Sequence, residues 1–564
     1  MRRLFWIIWS IWLVLDVLTA IGLEIYTDEG YYWMWSQHLA WGYYDHPPIV
    51  ALWVWLSSHL IPSGTLSVRL MTVLCHGLTL LGAGAIVKER LAERGVEWNN
   101  RSIGLFFLCA GSLVMFTAAG FLTTPDAPLM LFATAFFYAL LHYDRASSTR
   151  SRWLWAIAIG LSLALMCYSK YMVVLVLLWV ILAKPKRILD PKLWVSLILM
   201  ALLMVPHILW QMQEQWPSVR FHLVARSDPF RWWYLSDYLP NQLLVFNPIL
   251  LVLSCILSVQ AFRKGDTYDR TMAWQILGFL VFFLLMTFRG HVEPHWTMVA
   301  SVPVIVLSVE WLVTRDLNTR ANKWLIGGLI ALVGIIFLAR GVLVSNRLPI
   351  ETGLGSKQIR YDSMEQLSDG RVVVLTGSFQ RTAMYRWFEH KPAVLIHDLR
   401  FYRHTQFEKW QLEIPFQGQP ACIMHTNYGD TIPLATEIFY RRLVNRLQTT
   451  DAVTATIDSL NLQEHHLTLT VTMSHPYIVP FEWNHDELPA KVRIVGLVDN
   501  EWEGVEATLK GPDTIPVGES VTYRIEAEAE WLQPQQKIAV AIDNGVIWTQ
   551  NTPWVQIKNQ KSKI

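Results

Sequence analysis

Runs of about twenty apolar residues recur through the first 343 positions, separated by short polar or aromatic stretches. Such runs lie at 4–23, 67–87, 102–122, 127–143, 153–169, 171–183, 194–210, 241–262, 271–288, 297–313 and 324–343, which predicts about eleven membrane-spanning helices. The 171–183 run is short for a full crossing and is expected to tilt, break or re-enter. Beyond 343 the pattern changes. RVVVLTG, AVLIHDL and ACIMHT read as short buried strands between helical patterns, a small α/β domain over 344–451. From 452 to 564 the runs LTLTVTM, KVRIVGLVD, SVTYRIEAEAE and KIAVAID alternate apolar and polar positions, as the strands of an antiparallel sandwich do. The expected architecture is a polytopic α-helical membrane domain over 1–343, followed by a C-terminal α/β plus β-sandwich region.

Composition and charge sharpen this picture. With 53% hydrophobic and only 16% charged residues, the chain falls in the membrane class. Met1-Arg2-Arg3 precedes the first run and no small-residue cleavage site follows it, so the run is expected to stay as an anchor. The basic stretches 88–101, 144–152, 184–192, 262–270 and 314–323 all fall on one side if every run crosses, and excess Lys and Arg makes that side cytoplasmic. The other face then receives the loop 28–48, the turn 123–128, Lys170, the loop 211–240, the loop 289–296 and everything after about 343. Four of the five cysteines lie in apolar runs and no CxxC pair occurs, so neither a disulfide framework nor a cysteine metal motif is expected.

The candidate chemistry gathers on that second face. DEGYYWMWSQHLAWGYYDHPP, 28–48, places Asp28 and Glu29 directly after the first apolar run. Two readings stand: carboxylates that begin a helix, where the positive helix end favours them, or a general base taking the proton of an acceptor hydroxyl as it attacks a sugar carbon. The aromatics of this stretch read as an interfacial belt under a short amphipathic helix, with sugar stacking open to one or two of them. His46 before Pro47-Pro48 sits on a stiff corner. Thr124-Pro125-Asp126 suits any helix start, and Asp126 is also a candidate site residue. Lys170 lies between two apolar runs and must snorkel or meet an anion, such as a lipid phosphate. Arg220, His222 and Arg226 lie among aromatics, a pattern that suits phosphate contacts and equally a loop resting on anionic lipid. In HVEPH, His291 and Glu293 invite a metal assignment, but no supporting ligand set accompanies them and substrate orientation or closure of the cavity is preferred.

Taken in order, DEGYYWMWSQHLAWGYYDHPP, TTPDAPL, LMCYSKYM, QWPSVRFHL and RGHVEPHW resemble the bacterial members of glycosyltransferase family 39. This is the dolichyl-phosphate-mannose protein mannosyltransferase-like group with the GT-C fold, which includes the lipid A aminoarabinose transferase. The resemblance implies a membrane glycosyltransferase of the bacterial inner membrane, with its C-terminal region extracytoplasmic. It implies transfer of one sugar, with inversion, from a polyprenyl-phosphate donor to a lipid, glycan or protein acceptor on the outer face. Asp28 matches the first-loop acidic residue assigned as catalytic, with Glu29 beside it, and Asp126 matches the second acidic position. His46 stands where the aminoarabinose transferases carry lysine, which argues against an aminoarabinose donor. Asp45 falls where those enzymes have a glutamate associated with a metal. Lys170, His291 and Glu293 match recurring patterns of phosphate or substrate contact. The C-terminal region lacks the tryptophan- and histidine-rich domain of eukaryotic protein mannosyltransferases, which leaves protein unsupported as acceptor.

No cofactor is required by this reading, a divalent metal stays open, and the expected partners are the prenyl-linked donor, the acceptor and membrane lipids, with no nucleic acid. The rival is a lipid-linked glycan flippase or transporter. Transporters hold ionisable residues near the midplane and show two similar halves, whereas here these residues gather at one surface and no repeat is visible. A membrane-anchored sensor would leave Asp28 and Lys170 without purpose.

Overall fold

The structure, a computed structural model, describes residues 2–222, 229–345, 358–400, 404–425, 430–434, 437–498 and 501–557. It divides into two compact units, Met1–Ser356 and Lys357–Ile564.

The first unit is helical. It opens with α1 (Arg3–Gly22), α2 (Thr27–Gln37), α3 (Ile49–Leu60), α4 (Leu66–Glu93), α5 (Asn100–Gly111) and α6 (Val114–Ala118). Then follow α7 (Asp126–Arg145), α8 (Thr149–Ser169), α9 (Val173–Ala183), α10 (Pro191–Gln213), α11 (Pro217–Arg220), α12 (Trp232–Phe246) and α13 (Pro248–Lys264). The unit closes with α14 (Thr267–Met286), α15 (Ser301–Val313) and α16 (Arg320–Ser345). Among the described residues seven helices are long and apolar enough to cross a membrane: α1, α4, α8, α10, α14, the continuous segment Pro294–Val313 and α16.

The other expected spans depart for local reasons. The 102–122 run breaks between α5 and α6, where the Ser112 hydroxyl turns back to the Cys109 carbonyl and Asn247 Nδ2 donates to Ser112 O at 2.9 Å. The 241–262 run bends by 95° between α12 and α13. Asn247 there has φ 54°, and its Oδ1 caps Leu250 N at 2.9 Å just ahead of the helix-opening Pro248. Helix α9 has 11 residues, about half of a crossing at 1.5 Å per residue. Helix α7 is long enough, but it is buried against α4 and α8 and carries His142, Asp144 and Arg145 in its last turn.

The five basic stretches are tied to one another at one end of this bundle. Arg90 pairs with Asp266, Asp269 and Glu310 at 2.7–3.0 Å, and Arg145 reaches Glu89 at 2.6 Å. Arg187 meets Asp144 at 2.5 Å, and Arg101 donates to the Arg315 carbonyl. These contacts place the ends of α4, α7, α14 and α15 together and leave the opposite end to the loops that hold the candidate site residues.

The second unit begins with α17 (Gln358–Ser368) and a five-stranded sheet of β1 (Val372–Thr376), β2 (Ala393–Ile396), β3 (Ala421–His425), β4 (Asp430–Leu434) and β5 (Glu437–Val444), with α18 (Phe379–Glu389) between β1 and β2. The order is β2-β1-β3-β5-β4, parallel around β1 and antiparallel at β5. The three apolar runs expected as buried strands are β1, β2 and β3. Three antiparallel sheets follow, of five, four and two strands, built on β6 (Thr454–Gln463), β7 (His466–Ser474), β8 (Phe481–Glu482), β9 (Lys491–Val498), β10 (Glu501–Glu506), β11 (Thr508–Lys510), β12 (Thr514–Ile515), β13 (Ser520–Glu528), β14 (Lys537–Asp543), β15 (Trp548–Gln550) and β16 (Val555–Gln556). Alternate residues of β7, β9, β13 and β14, such as Leu469, Ile494, Ile525 and Val540, fill one core between them. The mixed sheet adds Val374, Ile396 and Ile423 to a second core with Leu488, Val546 and Ile547. Positions 451 and 452 both lie within the unit Lys357–Ile564.

A polar pocket in this unit carries a pH signature. His397 donates its backbone N–H to Asp451 at 2.7 Å and sets Nδ1 on the same oxygen at 2.7 Å, while Glu413 lies 4% exposed beside them. Burial first, and the Asp451 charge second, push the Glu413 carboxyl up to about 7 from 4.5. Between those values the folded protein holds a proton that the unfolded chain has released, so this stabilisation is complete below about pH 4.5 and lost as pH rises through about 7. Thermal unfolding of the second unit, followed in the full chain, is expected to weaken by on the order of 2 kcal/mol from about pH 5 to about pH 8. Glu413→Gln should flatten that slope, and an unchanged slope would remove Glu413 as its source.

Candidate active site

The site grows from one buried ion pair. Arg69, on α4, and Glu29, in the first turn of α2, are 0% and 1% exposed. Arg69 Nε donates to Glu29 Oε1 at 2.8 Å and Nη2 to Oε2 at 2.5 Å. Its remaining N–H groups reach the Ala20, Leu23 and Glu24 carbonyls at 2.7–2.9 Å, which closes the C-terminal end of α1. Five donors on a guanidinium are thereby all used. Glu29 also accepts from Thr123 N at 2.8 Å and from Tyr26 N at 2.7 Å, the second bond forming half of a capping box on α2. One pair thus joins the end of α1, the start of α2 and the loop before α7. Glu29 was expected as a catalytic residue; four donors occupy its two oxygens inside the protein.

Asp28, its neighbour, is half-buried. Burial first, then the charges of Asp28 and Glu293, raise the pKa of the Tyr26 hydroxyl, so both carboxylates act on the same spot. Three residues beyond Thr123, Asp126 opens α7 at 2% exposure. Lys170 Nζ lies 2.8 and 2.9 Å from its two oxygens, and His295 Nε2 approaches at 3.7 Å. Lys170 was expected to meet a phosphate; it is 5% exposed and already answered by Asp126. Its place follows from the break after α8, where Lys170 is the C-cap residue and its backbone turns extended.

The loop 38–48 and the segment after α10 complete the surroundings. His222 Nε2 donates to the Asp45 carbonyl at 3.0 Å, and its ring lies 6.3 Å from His46 and 5.7 Å from Tyr171. Tyr171 OH meets His207 Nε2 at 3.0 Å, His207 Nδ1 donates to Trp41 O at 2.6 Å, and Ser218 donates to Tyr43 O at 2.8 Å. Tyr171, His222, Asp45 and His46 are therefore neighbours, and Lys170 precedes Tyr171 in the chain. The interfacial belt expected of the aromatics is corrected in part: Tyr31, Tyr32, Trp35 and Tyr43 are buried, and Trp35 stacks on Tyr43 at 4.4 Å. Trp41, 57% exposed, keeps the surface position. His291 and Glu293 face each other at 3.5 Å, half-exposed. Arg220 is exposed at the end of α11 and is not drawn into the contacts around Lys170; Arg226 lies outside the described residues. Among the described residues no group of three or more His, Cys, Asp or Glu side chains has the geometry to hold a metal ion.

A second buried cluster supports the loop before α7. His76 Nδ1 meets Asp16 Oδ2 at 2.7 Å, and Arg340 Nη2 meets the other oxygen at 2.8 Å, joining α1, α4 and α16. Gly120 lies directly on it: a Cβ there would sit 2.4 Å from His76 Nδ1 and 2.6 Å from Asp16 Oδ2. Sequence reasoning passed over Arg69, Asp16, His76 and Arg340, and met His295 only as one of the alternate donors of HVEPH. The usable signal for the first four was a charge or imidazole within an apolar run, where burial demands a partner.

The sequence profile of a family described as dolichyl-phosphate-mannose-protein mannosyltransferase matches residues 45–210. The lipid A galacturonosyltransferase RgtD of Rhizobium johnstonii is 25% identical over 324 residues, covering 54% of this chain and 63% of that protein, so less than two thirds of the relative is spanned. The crystal structure of ArnT from Cupriavidus metallidurans in the apo state superposes with a TM-score of 0.57 at 12% identity, over 77% of this chain and 96% of ArnT. The structure of the same protein bound to undecaprenyl phosphate gives 0.54 at 13% identity, over 78% and 98%. The chain carries the GT-C fold. These matches bear out the resemblance drawn from the five motifs. In GT-C terms, the profile match runs from the His46 corner to α10 and includes Arg69, Asp126 and Lys170.

Breaking a buried pair by removing one partner costs about 3–5 kcal/mol, because the other charge stays behind. Glu29→Ala is expected to lower unfolding stability by about that amount, measured by thermal denaturation in detergent, and Glu29→Met with Arg69→Met to recover part of it. A loss below about 1 kcal/mol for Glu29→Ala would mean the pair is not the joint described.

Proposed function

We propose that the protein is a membrane glycosyltransferase that moves one sugar from a polyprenyl-phosphate carrier to an acceptor hydroxyl on the outer face. The reading is supported by the relative named as a lipid A galacturonosyltransferase and by the GT-C structure described as bound to undecaprenyl phosphate. The second favours a prenyl-phosphate donor, and the first an acceptor among the lipids of the cell envelope. The observation that carries the assignment of roles is the split between two adjacent carboxylates: Glu29 is saturated and sealed, while Asp28 stays half-buried beside Tyr26.

In this reading Asp28 takes the proton of the acceptor O–H as that oxygen forms a bond to the anomeric carbon. The bond from that carbon to the phosphate oxygen breaks, and the electron pair leaves with the lipid phosphate, inverting the centre. Negative charge then develops on the phosphate, where Lys170, His46 and His222 supply donors and positive charge. Asp126 holds Lys170 in place at 2.8 Å, so Lys170 acts on the phosphate through a shared position rather than as a free ammonium. Asp45 contributes its backbone carbonyl to orient His222. Glu293 and His291 line the approach on the loop before α15.

Asp28→Asn should leave the protein folded in reconstituted vesicles and lower sugar transfer by about 10²–10⁴-fold, the range for loss of a general base. Turnover near that of the wild type would remove Asp28 from this role. Lys170→Met combined with Asp126→Asn removes both charges of the pair together; it should raise the KM for the prenyl-phosphate donor while the acceptor KM holds. Equal changes in both constants would argue against a donor contact.

A further inference from the structure

A cavity of about 250 Å³ opens among α7, α8, α9 and α10, beside the turn 185–189. Its walls include Phe136, Leu140, Leu163, Leu177, Val180 and Leu197, and Arg187 lies at the turn. Protein interiors have few voids larger than a water molecule, and an apolar cavity of about 150 Å³ stays dry and takes up apolar molecules instead. Neither side-chain packing nor water accounts for this space. Ile188 and Trp194, which line it, are 48% and 52% exposed, and Leu189 beside them is 80% exposed. On a membrane-spanning bundle these surfaces face hydrocarbon, so a lipid chain can reach the cavity from the side.

The polar groups around it point to an anion. Arg187 is 5% exposed; Nη1 donates to Val180 O at 2.9 Å and Thr271 Oγ1 at 3.3 Å, and Nη2 to Asp144 at 2.5 Å. Its Nε is buried with no acceptor among the described residues. Lys184, Lys186, Arg187 and Lys192 stand against Asp144 and Asp190, four basic residues to two acidic. Asp190 already accepts from Tyr143 OH at 2.6 Å, and Lys192 lies over the Trp153 ring at 5.6 Å. The cavity sits at the end of the bundle where the basic stretches are tied together, away from Asp28, Asp126 and Lys170.

We infer that this cavity is a binding site for an anionic phospholipid, one acyl chain filling the apolar space and Lys186 and Lys192 flanking the headgroup. The carrier lipid is the less suitable occupant, since its phosphate is needed at the opposite end of the bundle.

The test uses the full chain, delipidated in detergent and placed in nanodiscs of phosphatidylcholine with or without phosphatidylglycerol, with retained lipid counted by native mass spectrometry. Phosphatidylglycerol should be retained over phosphatidylcholine, and Lys186→Gln with Lys192→Gln should cut that preference by about fivefold per lysine. Leu197→Trp, which fills the cavity without altering charge, should abolish retention while sugar transfer persists. Equal retention of the two lipids, retention by Leu197→Trp equal to that of the wild type, or displacement of phosphatidylglycerol by equimolar undecaprenyl phosphate would each overturn the assignment. If Leu197→Trp does not fold, the lysine pair alone decides.

Discussion

The Arg69–Glu29 pair is the constraint on which the rest of the first unit depends. Two charges cannot be left in a buried, apolar setting unless every donor and acceptor is answered, and here they are: the guanidinium closes α1, the carboxylate opens α2, and Thr123 N–H joins the loop ahead of α7. Removing either partner releases three segments at once. Because Asp28 is the residue before Glu29 and Asp126 the third after Thr123, the same pair fixes where both candidate acidic groups can stand. The Asp16–His76–Arg340 cluster holds that loop from beneath, with Gly120 pressed on it so closely that only a hydrogen fits.

This arrangement explains why two neighbouring carboxylates take different parts. Adjacent residues on a helix do not face the same way. Glu29 is turned into the bundle and consumed by donors, while Asp28 stays half-buried at the start of the same helix. The Asp126–Lys170 pair shows a similar economy: a buried ammonium and a buried carboxylate neutralise each other and lie next to Tyr171, whose hydroxyl and ring lead on to His207 and His222. The site is a set of mutually satisfied groups around a half-buried acid, rather than a row of free charges.

How much of this was legible in the chain depends on the length scale. Apolar runs marked the helices, because burial in lipid or in a bundle imposes them wherever they fall. They could not distinguish a full span from a helix broken at Ser112 or bent at Asn247, where single polar side chains redirect the backbone. The motifs at 28–48, 123–128 and 168–172 were legible as groups that share one end of the bundle, since aspartate and lysine beside apolar runs demand partners. Which partner each would choose was not legible: Lys170 met Asp126, and Glu29 met an arginine forty residues away in an apolar helix. The tryptophans and tyrosines of α2 read as a membrane belt because their type suits an interface, yet stacking of Trp35 on Tyr43 put most of them inside.

The central claim is that a prenyl-phosphate headgroup binds between the Asp126–Lys170 pair and the His46–His222 corner, within reach of Asp28. A cryo-electron microscopy structure of the protein with undecaprenyl phosphate tests it most directly. Phosphate density within hydrogen-bond distance of at least one of the Lys170, His46 and His222 side chains, on the side of α2 that carries Asp28, is the expected result. Density at the end of the bundle held by Arg90 and Arg187, or a phosphate separated from Asp28 by the α2 helix itself, would contradict the account.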